Sequence, residues 1–234
     1  MNIAGLQKMT LLDFPGRVAC TVFLQGCNYR CPFCHNSALI PSTGDVLMDD
    51  KELLSFLKKR TGLLDGVCIT GGEPTLQKEL PQLLGGIKEL GYGVKLDTNG
   101  GRPQVLKELI DAGLVDYVAM DIKNSPARYG ETAGNNTAIN KVEESVKILL
   151  EDKVDYELRT TVVEELHSGK DIEEMGAWIA SLTGRRPKRW FLQRYTDRDS
   201  VLQNGLHPPS AESMQQYAEI LTPFGESVSL RGVE

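Results

Sequence analysis

Residues 18–36 read VACTVFLQGCNYRCPFCHN, an apolar and β-branched run that leads directly into a polar loop. The first part, residues 18–25, has the composition of a buried β-strand. The loop places Cys27, Cys31 and Cys34 within eight positions, in the spacing C-x3-C-x2-C. The stretch therefore predicts a buried strand followed at once by a loop with three clustered thiols.

Similar apolar runs recur along the chain and alternate with amphipathic stretches. The predicted strands cover residues 18–25, 66–70, 92–98, 115–122, 154–163, 189–195 and 227–231. The predicted helices cover residues 49–60, 77–90, 103–112, 138–152, 171–182 and 210–222. Pro103 and Ser210 mark helix starts, and Gly91 and Gly113 mark helix ends. The repeated strand–helix–strand order predicts a parallel α/β sheet, with fewer units than a closed (βα)8 barrel and no interdomain linker.

The composition restricts the class of protein. With 234 residues, 41% hydrophobic and 25% charged, the chain is typical of soluble globular proteins. Its net charge of −6 argues against a nucleic-acid partner. No run approaches the roughly 18 apolar residues of a membrane span, and no signal-peptide pattern is expected at the N-terminus. Five cysteines, three of them clustered, favour a metal site in a reducing cytoplasm over a disulfide framework.

Four interpretations of the three cysteines are open. Their density and polar flanks disfavour a purely apolar, core role. His35 could complete a Cys3His zinc site, but it directly follows Cys34, whereas structural zinc ligands usually come as two spaced pairs. Cys31 and Cys34 could form a thioredoxin-like C-x-x-C motif, which leaves Cys27 unexplained. The fourth interpretation is an iron–sulfur cluster.

A [4Fe–4S] cluster usually takes four thiolates. Three thiolates from one loop leave one iron without a protein ligand, which is the arrangement that lets a metal bind a small molecule. Cys20 and Cys68 lie inside apolar strands and are predicted to be core residues, so they do not easily supply a fourth ligand. The cluster interpretation therefore predicts a metal site with an open coordination position.

The cysteine motif, with the aromatic Phe33 before its last cysteine, resembles the signature of the radical S-adenosylmethionine (SAM) family. ITGGEPT at residues 69–75 is similar to the G-G-E-P motif of that family. The resemblance implies a single radical SAM domain over residues 1–234 with a partial (βα)6 TIM-like barrel. The cluster loop would cover residues 24–36, and SAM-binding strand ends would extend to about residue 195. It also implies that SAM binds the open iron and is cleaved to a 5′-deoxyadenosyl radical.

Further segments resemble the glycyl-radical-enzyme activating proteins. They are DFPGRVACTVFLQGCNYRCPFCHN (13–36), LDTNG (96–100), MDIK (120–123) and LRTTVV (158–163). The stretches GLQKMTLLDFPG (5–16) and GGEPTLQ (71–77) are most similar to activating proteins of anaerobic ribonucleoside-triphosphate reductase, with pyruvate formate-lyase activating enzymes beside them. The resemblance implies an oxidoreductase that generates a glycyl radical on a partner, first of all anaerobic ribonucleotide reductase.

The resemblance also assigns site residues. The catalytic cluster ligands are Cys27, Cys31 and Cys34. The predicted SAM-binding residues are Phe33, His35, Gly71, Gly72, Glu73, Asp97, Thr98, Asn99, Asp121, Lys123 and Arg159.

Several of these residues have specific expected roles. Gly71 and Gly72 would let the backbone approach closely, and Glu73 would accept a hydrogen bond from the SAM ammonium. Arg159, if it faces inward, needs an anion, and the SAM carboxylate would serve. Asp97 and Asp121 could help to bind a monovalent cation near that carboxylate.

The implied partners are a glycyl radical enzyme and an electron donor such as flavodoxin or ferredoxin, without nucleic acid or membrane. Residues 1–16 and the polar loop 123–136 are candidate docking surfaces. Tyr195 stands where the pyruvate formate-lyase branch has a histidine, so the adenine contact expected there is in doubt. His167 and His207 lie in polar loops, and the sequence assigns them no role.

Other functions are open at this point. Within the activating proteins, the alternatives are activation of pyruvate formate-lyase or of another glycyl radical enzyme. A small-molecule radical SAM enzyme, such as a carboxy-deazaguanine synthase, would share the cysteine motif. A non-catalytic zinc module would contain one zinc in place of about four irons per chain.

Overall fold

Strands and helices alternate along the chain as the sequence predicts, with two additional strands and one additional helix in the described part. The computed structural model describes residues 1–136, 138–198 and 200–233. The strands are β1 (Asn2–Thr10), β2 (Ala19–Leu24), β3 (Met48–Asp49), β4 (Gly66–Gly71), β5 (Gly93–Thr98), β6 (Tyr117–Asp121), β7 (Asp155–Val162), β8 (Trp190–Arg194) and β9 (Val228–Arg231). The α-helices are α1 (Asp50–Lys58), α2 (Leu80–Glu89), α3 (Pro103–Asp111), α4 (Tyr129–Ala133), α5 (Ile139–Leu150), α6 (Gly169–Ser181) and α7 (Ala211–Leu221).

The chain divides into two compact units. The N-terminal unit comprises Met1–Asn28, Ala38–Thr98 and Gln104–Ala119. The C-terminal unit comprises Tyr29–Ser37, Asn99–Pro103 and Met120–Glu234. The single domain expected for residues 1–234 stays a prediction.

Parallel pairing of β2, β4 and β5 forms the centre of the N-terminal unit. Leu24 pairs with Gly71, and Ile69 pairs with Leu96, so these strands end at one common edge. The parallel α/β sheet is confirmed for these predicted strands. β1 pairs antiparallel with β2, and β3 pairs antiparallel with β1, which the sequence did not predict.

The segment that follows β1 packs at the amino ends of the parallel strands. The Phe14 ring lies 6.1 Å from the Tyr117 ring, between centroids, and the Arg17 guanidinium lies 5.0 Å from the Phe14 centroid. Arg17 also donates from Nη1 to the carbonyl oxygen of Asp65, just before β4. In the N-terminal unit the segment 14–17 therefore stabilises the end of the sheet opposite to the carboxyl edge.

Local signals account for the helix boundaries. Helix α3 begins at Pro103, and the Ser210 hydroxyl accepts a hydrogen bond from Ser213 N at the start of α7, as predicted. Gly91 and Gly113 follow α2 and α3 with φ of 85° and 65°, the left-handed conformation that ends a helix. No helix in the described ranges has the length and apolar character needed to cross a membrane.

The C-terminal unit contains the parallel strands β7, β8 and β9. Trp190 of β8 is fully buried, and its indole N–H donates to the Thr160 hydroxyl of β7 at 3.1 Å. Helix α6 begins with a capping box in which the side chains of Ser168 and Asp171 each accept the other's backbone N–H. The three parallel strands of this unit were predicted from the sequence. The capping box of α6 was not.

We expect Arg231→Met to lower the free energy of unfolding by about 3 kcal/mol, because it removes a half-buried cation from a fully buried carboxylate. Arg231 donates to both carboxylate oxygens of Glu157, at 3.0 and 3.1 Å, and its guanidinium lies 3.5 Å from the Phe191 centroid. The Glu157 side chain is only 1% exposed, so the variant leaves a buried carboxylate without this partner. Denaturant unfolding measures the change.

The matched control is Lys188→Met. Lys188 pairs with Asp152 at 2.6 Å, but both side chains are more than 40% exposed. An exposed pair contributes little to stability, so Lys188→Met should unfold at nearly the same denaturant concentration as the unmodified chain. Equal losses in the two variants would contradict the structural role given to Arg231.

Candidate active site

The G-G-E-P segment of the N-terminal unit packs against the backbone that leads into the cysteine loop. Gly72 N donates to Leu24 O at 2.8 Å, and Glu73 N donates to Gly26 O at 2.7 Å. A Cβ on Gly72 would lie 2.2 Å from Gly26 O, and a Cβ on Gly71 would lie 2.3 Å from Leu24 N and O. The atoms that approach these two glycines in the structure are backbone atoms of Leu24 and Gly26. A close approach of SAM to them stays a prediction.

Glu73 is a fully buried carboxylate held by neighbouring threonines. Its Oε1 accepts hydrogen bonds from Thr75 N at 3.1 Å, from the Thr75 hydroxyl and from the Thr98 hydroxyl at 2.8 Å. These three donors fix the orientation of the side chain. Thr98, which the sequence assigned to SAM, thus contacts Glu73, and Thr75 is a supporting residue that the sequence analysis missed.

Cys27 begins the cysteine motif at the carboxyl edge of this unit. Gly26 N donates to Leu39 O at 2.8 Å, and Cys27 N donates to Ile40 O at 3.0 Å. These two bonds hold the backbone of the first cysteine against the segment that follows the loop.

Asp97 at the end of β5 forms an ion pair with Lys95 of the same strand. The Lys95 ammonium lies 3.8 Å from the Cys68 sulfur, which lies 3.8 Å from Asp97 Oδ1. Lys95 is 2% exposed, and Cys68 is fully buried as predicted. The sequence analysis missed Lys95, although side chains two positions apart on a strand share a face.

In the C-terminal unit, Cys31 and Cys34 share one turn. Cys34 N donates to Cys31 O at 3.1 Å, and Arg30 N donates to Ala133 O at 3.0 Å. A Cβ on Gly134 would lie 2.4 Å from Arg30 O. The carboxyl end of α4 therefore supports the backbone of the cysteine turn.

The segment 123–136 contains this helix and is tightly anchored. Asn124 is fully buried and donates from Nδ2 to the Thr132 hydroxyl and to Leu166 O, both at 2.8 Å. Ser125 and Tyr129 are also buried. Five other residues of the segment are exposed, namely Pro126, Ala127, Glu131, Gly134 and Asn136, so its role as a docking surface stays a prediction.

Asp121 forms the centre of a charged cluster on β6 and β7. Its carboxylate accepts hydrogen bonds from Lys123 Nζ at 2.9 Å and from Arg159 Nε at 3.0 Å. Burial favours the neutral acid, but the charges of Lys123 and then Arg159 outweigh burial and lower the pKa of Asp121 to about 2. In this structure Arg159 pairs with the carboxylate of Asp121, and a contact with the SAM carboxylate stays a prediction.

Lys123 connects this cluster to the cysteine turn. Its ammonium lies 5.9 Å from the centroid of the buried Phe33 ring. Burial opposes the charged form, but Asp121 and then the negative charge of Cys31 raise the pKa of Lys123. A permanently charged lysine near Cys31 favours the thiolate form that metals bind.

His167 holds the backbone at Lys123 and was missed by the sequence analysis. The ring is buried, with Nε2 2.8 Å from Lys123 O, while Val163 N donates to Nδ1 at 3.1 Å. Burial lowers the pKa of His167, so the neutral ring carries its proton on Nε2 and donates it to Lys123 O.

The last part of the cysteine loop is held by the segment after β8. His35 Nε2 lies 2.7 Å from Thr196 O, and its ring stacks on Tyr195 with centroids 5.6 Å apart. The Ser200 hydroxyl donates to His35 O at 2.9 Å. Tyr195 thus supports His35 in this structure, and the adenine contact at its position stays in doubt.

Asn99 has a local role in the structure. Its Oδ1 accepts a hydrogen bond from Gly101 N at 2.8 Å, which forms a turn after β5. The SAM contact expected for Asn99 stays a prediction.

The comparisons with known proteins agree with the motif. A sequence model of the radical SAM superfamily matches residues 21–178, more than half of the 234 residues. The chain belongs to the radical SAM superfamily. It is therefore an enzyme of this class, and the superfamily uses a [4Fe–4S] cluster and SAM.

Individual relatives show which members of the superfamily this chain is similar to. A Methanocaldococcus jannaschii protein, provisionally named a glycyl-radical enzyme activating enzyme, is 28% identical over 99% of this radical SAM chain and 96% of its own. The 7-carboxy-7-deazaguanine synthase of Thermococcus kodakarensis is 31% identical over 58% of this chain and 60% of its own. The pyruvate formate-lyase-activating enzyme of Clostridium pasteurianum is 35% identical over 53% and 52%.

A solved structure confirms the fold class of this radical SAM chain. A domain of pyruvate-formate lyase-activating enzyme from Bacteroides vulgatus matches with a TM-score of 0.58 and 24% identity. The match covers 71% of this chain and 99% of that one. At this identity the match shows the fold, which is the mostly parallel α/β partial barrel that the sequence predicts.

The residues present fit a [4Fe–4S] cluster by the chemistry of their donors. All five cysteines of the chain are thiols, and Cys31 and Cys34 share one turn near the charged Lys123. Within the described ranges, no three His, Cys, Asp or Glu side chains are already gathered as a metal site. The three-cysteine motif thus supplies suitable ligands, and their assignment to the cluster stays a prediction.

Proposed function

We propose that this radical SAM enzyme generates a glycyl radical on a partner enzyme, and that the partner is an anaerobic ribonucleotide reductase. The observation that carries the proposal is the similarity to the M. jannaschii relative, which extends over nearly all of both chains. Residues 5–16 and 71–77 support the reductase as partner, because they resemble the activating proteins of that enzyme.

In this proposal Cys27, Cys31 and Cys34 would hold the cluster, and SAM would bind beside it. When bound, the cluster supplies the electron that cleaves SAM to a 5′-deoxyadenosyl radical. The chain itself has to hold the cysteine loop, orient SAM and exclude water. Helix α4 and the segment after β8 support the two ends of the loop that belong to the C-terminal unit.

The charged cluster of the C-terminal unit is suited to the methionine end of SAM. An arginine carries five N–H donors, so Arg159 can contact Asp121 through Nε and present others to a carboxylate. Asp121 keeps both basic groups in place, because its pKa of about 2 leaves it ionised near neutral pH. Lys123, aligned by Asp121 and Phe33, adds a second positive charge.

The substrate in this proposal is a glycine of the partner protein. Its Cα–H bond is not acidic enough for an ordinary base, which is why a radical is required. The exposed side chains of Met9, Leu11 and Leu12 offer an apolar surface for the partner. Thr10 pairs with Ala19 at the start of β2, so this surface lies at the amino end of the strand and not at the carboxyl edge. It can therefore contact the partner away from the radical glycine.

We further propose that the electron comes from a reductant such as flavodoxin or ferredoxin, and that the enzyme works in the cytoplasm. Activation of pyruvate formate-lyase is the first alternative, favoured by the 35% identical relative from C. pasteurianum. A small-molecule reaction is the second, favoured by the T. kodakarensis synthase. Membership of the radical SAM superfamily argues against a non-catalytic zinc module.

Electron paramagnetic resonance tests the proposal. The anaerobically reconstituted chain is incubated with SAM, a reductant and either anaerobic ribonucleotide reductase or pyruvate formate-lyase. We expect a protein-centred glycyl radical on the reductase, and none on a reductase whose radical glycine is replaced by alanine. A radical on pyruvate formate-lyase alone would show that this enzyme, and not the reductase, is the partner. SAM cleavage without a radical on either protein would favour the small-molecule alternative.

A further inference from the structure

Lys95 is a buried ammonium in the middle of β5, a central strand of the N-terminal unit. Its side chain is 3% exposed, and it forms an ion pair with the carboxylate of Asp97, whose side chain is 15% exposed. Lys95 pairs in register with Cys68 of β4, whose sulfur lies 3.8 Å from both charged groups. The three side chains thus form a compact cluster below the carboxyl edge of the strand.

Burying the Lys95 ammonium costs free energy unless an anion compensates its charge. A buried ammonium requires a compensating anion, and Asp97, two residues later on the same face, supplies it. The reverse also holds, since Asp97 is already neutralised by a cation that belongs to the chain. A second cation beside Asp97 would be repelled by Lys95 at short range.

This arrangement bears on the monovalent cation that the sequence analysis expected at Asp97. We propose that Lys95 is the resident counter-cation of Asp97 and takes the place of a diffusible alkali cation at this carboxylate. The inference rests on the proposed SAM site. It predicts that SAM binding by this chain is independent of added sodium or potassium.

Lys95 acts through Asp97 and is therefore a positioning residue. A purely structural role would make every Lys95 variant weaker in any salt. A counter-cation role predicts instead that a small alkali cation restores what the missing ammonium supplied. The identity of the cation is thus the readout that separates the two roles.

The experiment measures SAM binding by the anaerobically reconstituted enzyme at constant ionic strength, in potassium chloride or in tetramethylammonium chloride. Tetramethylammonium is too large to enter a site sized for a lysine ammonium. We expect the unmodified chain to bind SAM equally well in both salts. We expect Lys95→Met to lose about tenfold in affinity in tetramethylammonium, a change of about 1.4 kcal/mol, and to recover most of it in potassium.

Two further variants complete the design. Lys88→Met removes an ion pair with Asp116 at 2.7 Å, and its effect on SAM binding should be the same in both salts. The double variant Lys95→Met with Asp97→Asn has no charge to compensate and should lose the potassium effect. A further readout needs no cluster. We expect potassium to raise the thermal unfolding midpoint of cluster-free Lys95→Met by more than it raises that of the unmodified chain.

The outcomes separate this inference from the proposed function. If the unmodified chain does not bind SAM in either salt, the proposed function fails first. If it binds SAM but only in potassium, Lys95 does not replace the cation, and the inference is overturned even where Lys95→Met does not fold. If Lys95→Met is equally weak in both salts, Lys95 has only a structural role.

Discussion

Cys31→Ala is expected to remove the cluster and, with it, formation of the radical. Two thiolates from the loop cannot hold a [4Fe–4S] cluster stably, so iron should fall from about four per chain to below about one. SAM cleavage should fall by about a thousandfold or more, because the reductive step has no other electron carrier in the chain. Iron analysis, visible absorption and 5′-deoxyadenosine release under anaerobic conditions measure these effects.

Cys20→Ala is the matched control for this loss. Cys20 is fully buried on β2, and burial raises the pKa of its thiol to about 12. It therefore stays protonated near neutral pH, and we do not expect this thiol inside β2 to serve as a cluster ligand. We expect Cys20→Ala to keep its iron and its activity while stability falls by about 1–2 kcal/mol.

Two results would contradict the cluster assignment. Cys31→Ala with an unchanged iron content would mean that Cys31 is not a ligand. An unmodified chain that is colourless after anaerobic purification and contains about one zinc would favour the zinc interpretation instead.

The sequence predicts the strands well where burial dominates. β2, β4, β5 and β7 are apolar runs bounded by glycine or polar residues, and each lies within two residues of its predicted span. β1 was missed because NIAGLQKMT has little apolar patterning, and its pairing with β2 is specified by tertiary contacts. α4 was missed because its five residues are anchored by Asn124 rather than by a periodic apolar face.

The candidate site follows the same division. The motif residues could be named because their types and spacing resemble a known family. The supports that lie far away in sequence could not, since His167 and Tyr195 act through contacts set by tertiary packing, such as the 2.8 Å bond between His167 Nε2 and Lys123 O. Lys95 is the exception, because its place on the same strand face as Asp97 can be read from the sequence.

The second large effect is expected for Gly72→Ala. The Cβ would lie 2.2 Å from Gly26 O and 2.7 Å from Gly26 C, both backbone atoms that cannot rotate away. Either β4 or the start of the cysteine loop must therefore move, and we expect a loss of about 3 kcal/mol in unfolding free energy. The same movement displaces Cys27, so the iron content should also fall.

Gly85→Ala tests whether the effect depends on this contact. Gly85 lies within α2, and a Cβ there would meet nothing within 4 Å. We expect this variant to gain about 0.5–1 kcal/mol, because alanine favours a helix over glycine, and to bind iron normally. If Gly72→Ala were as stable and as rich in iron as Gly85→Ala, the G-G-E-P segment could not be packed against Leu24 and Gly26. Its glycines would then have to be explained by the approach of SAM alone, which leads back to the ligand role predicted from the sequence.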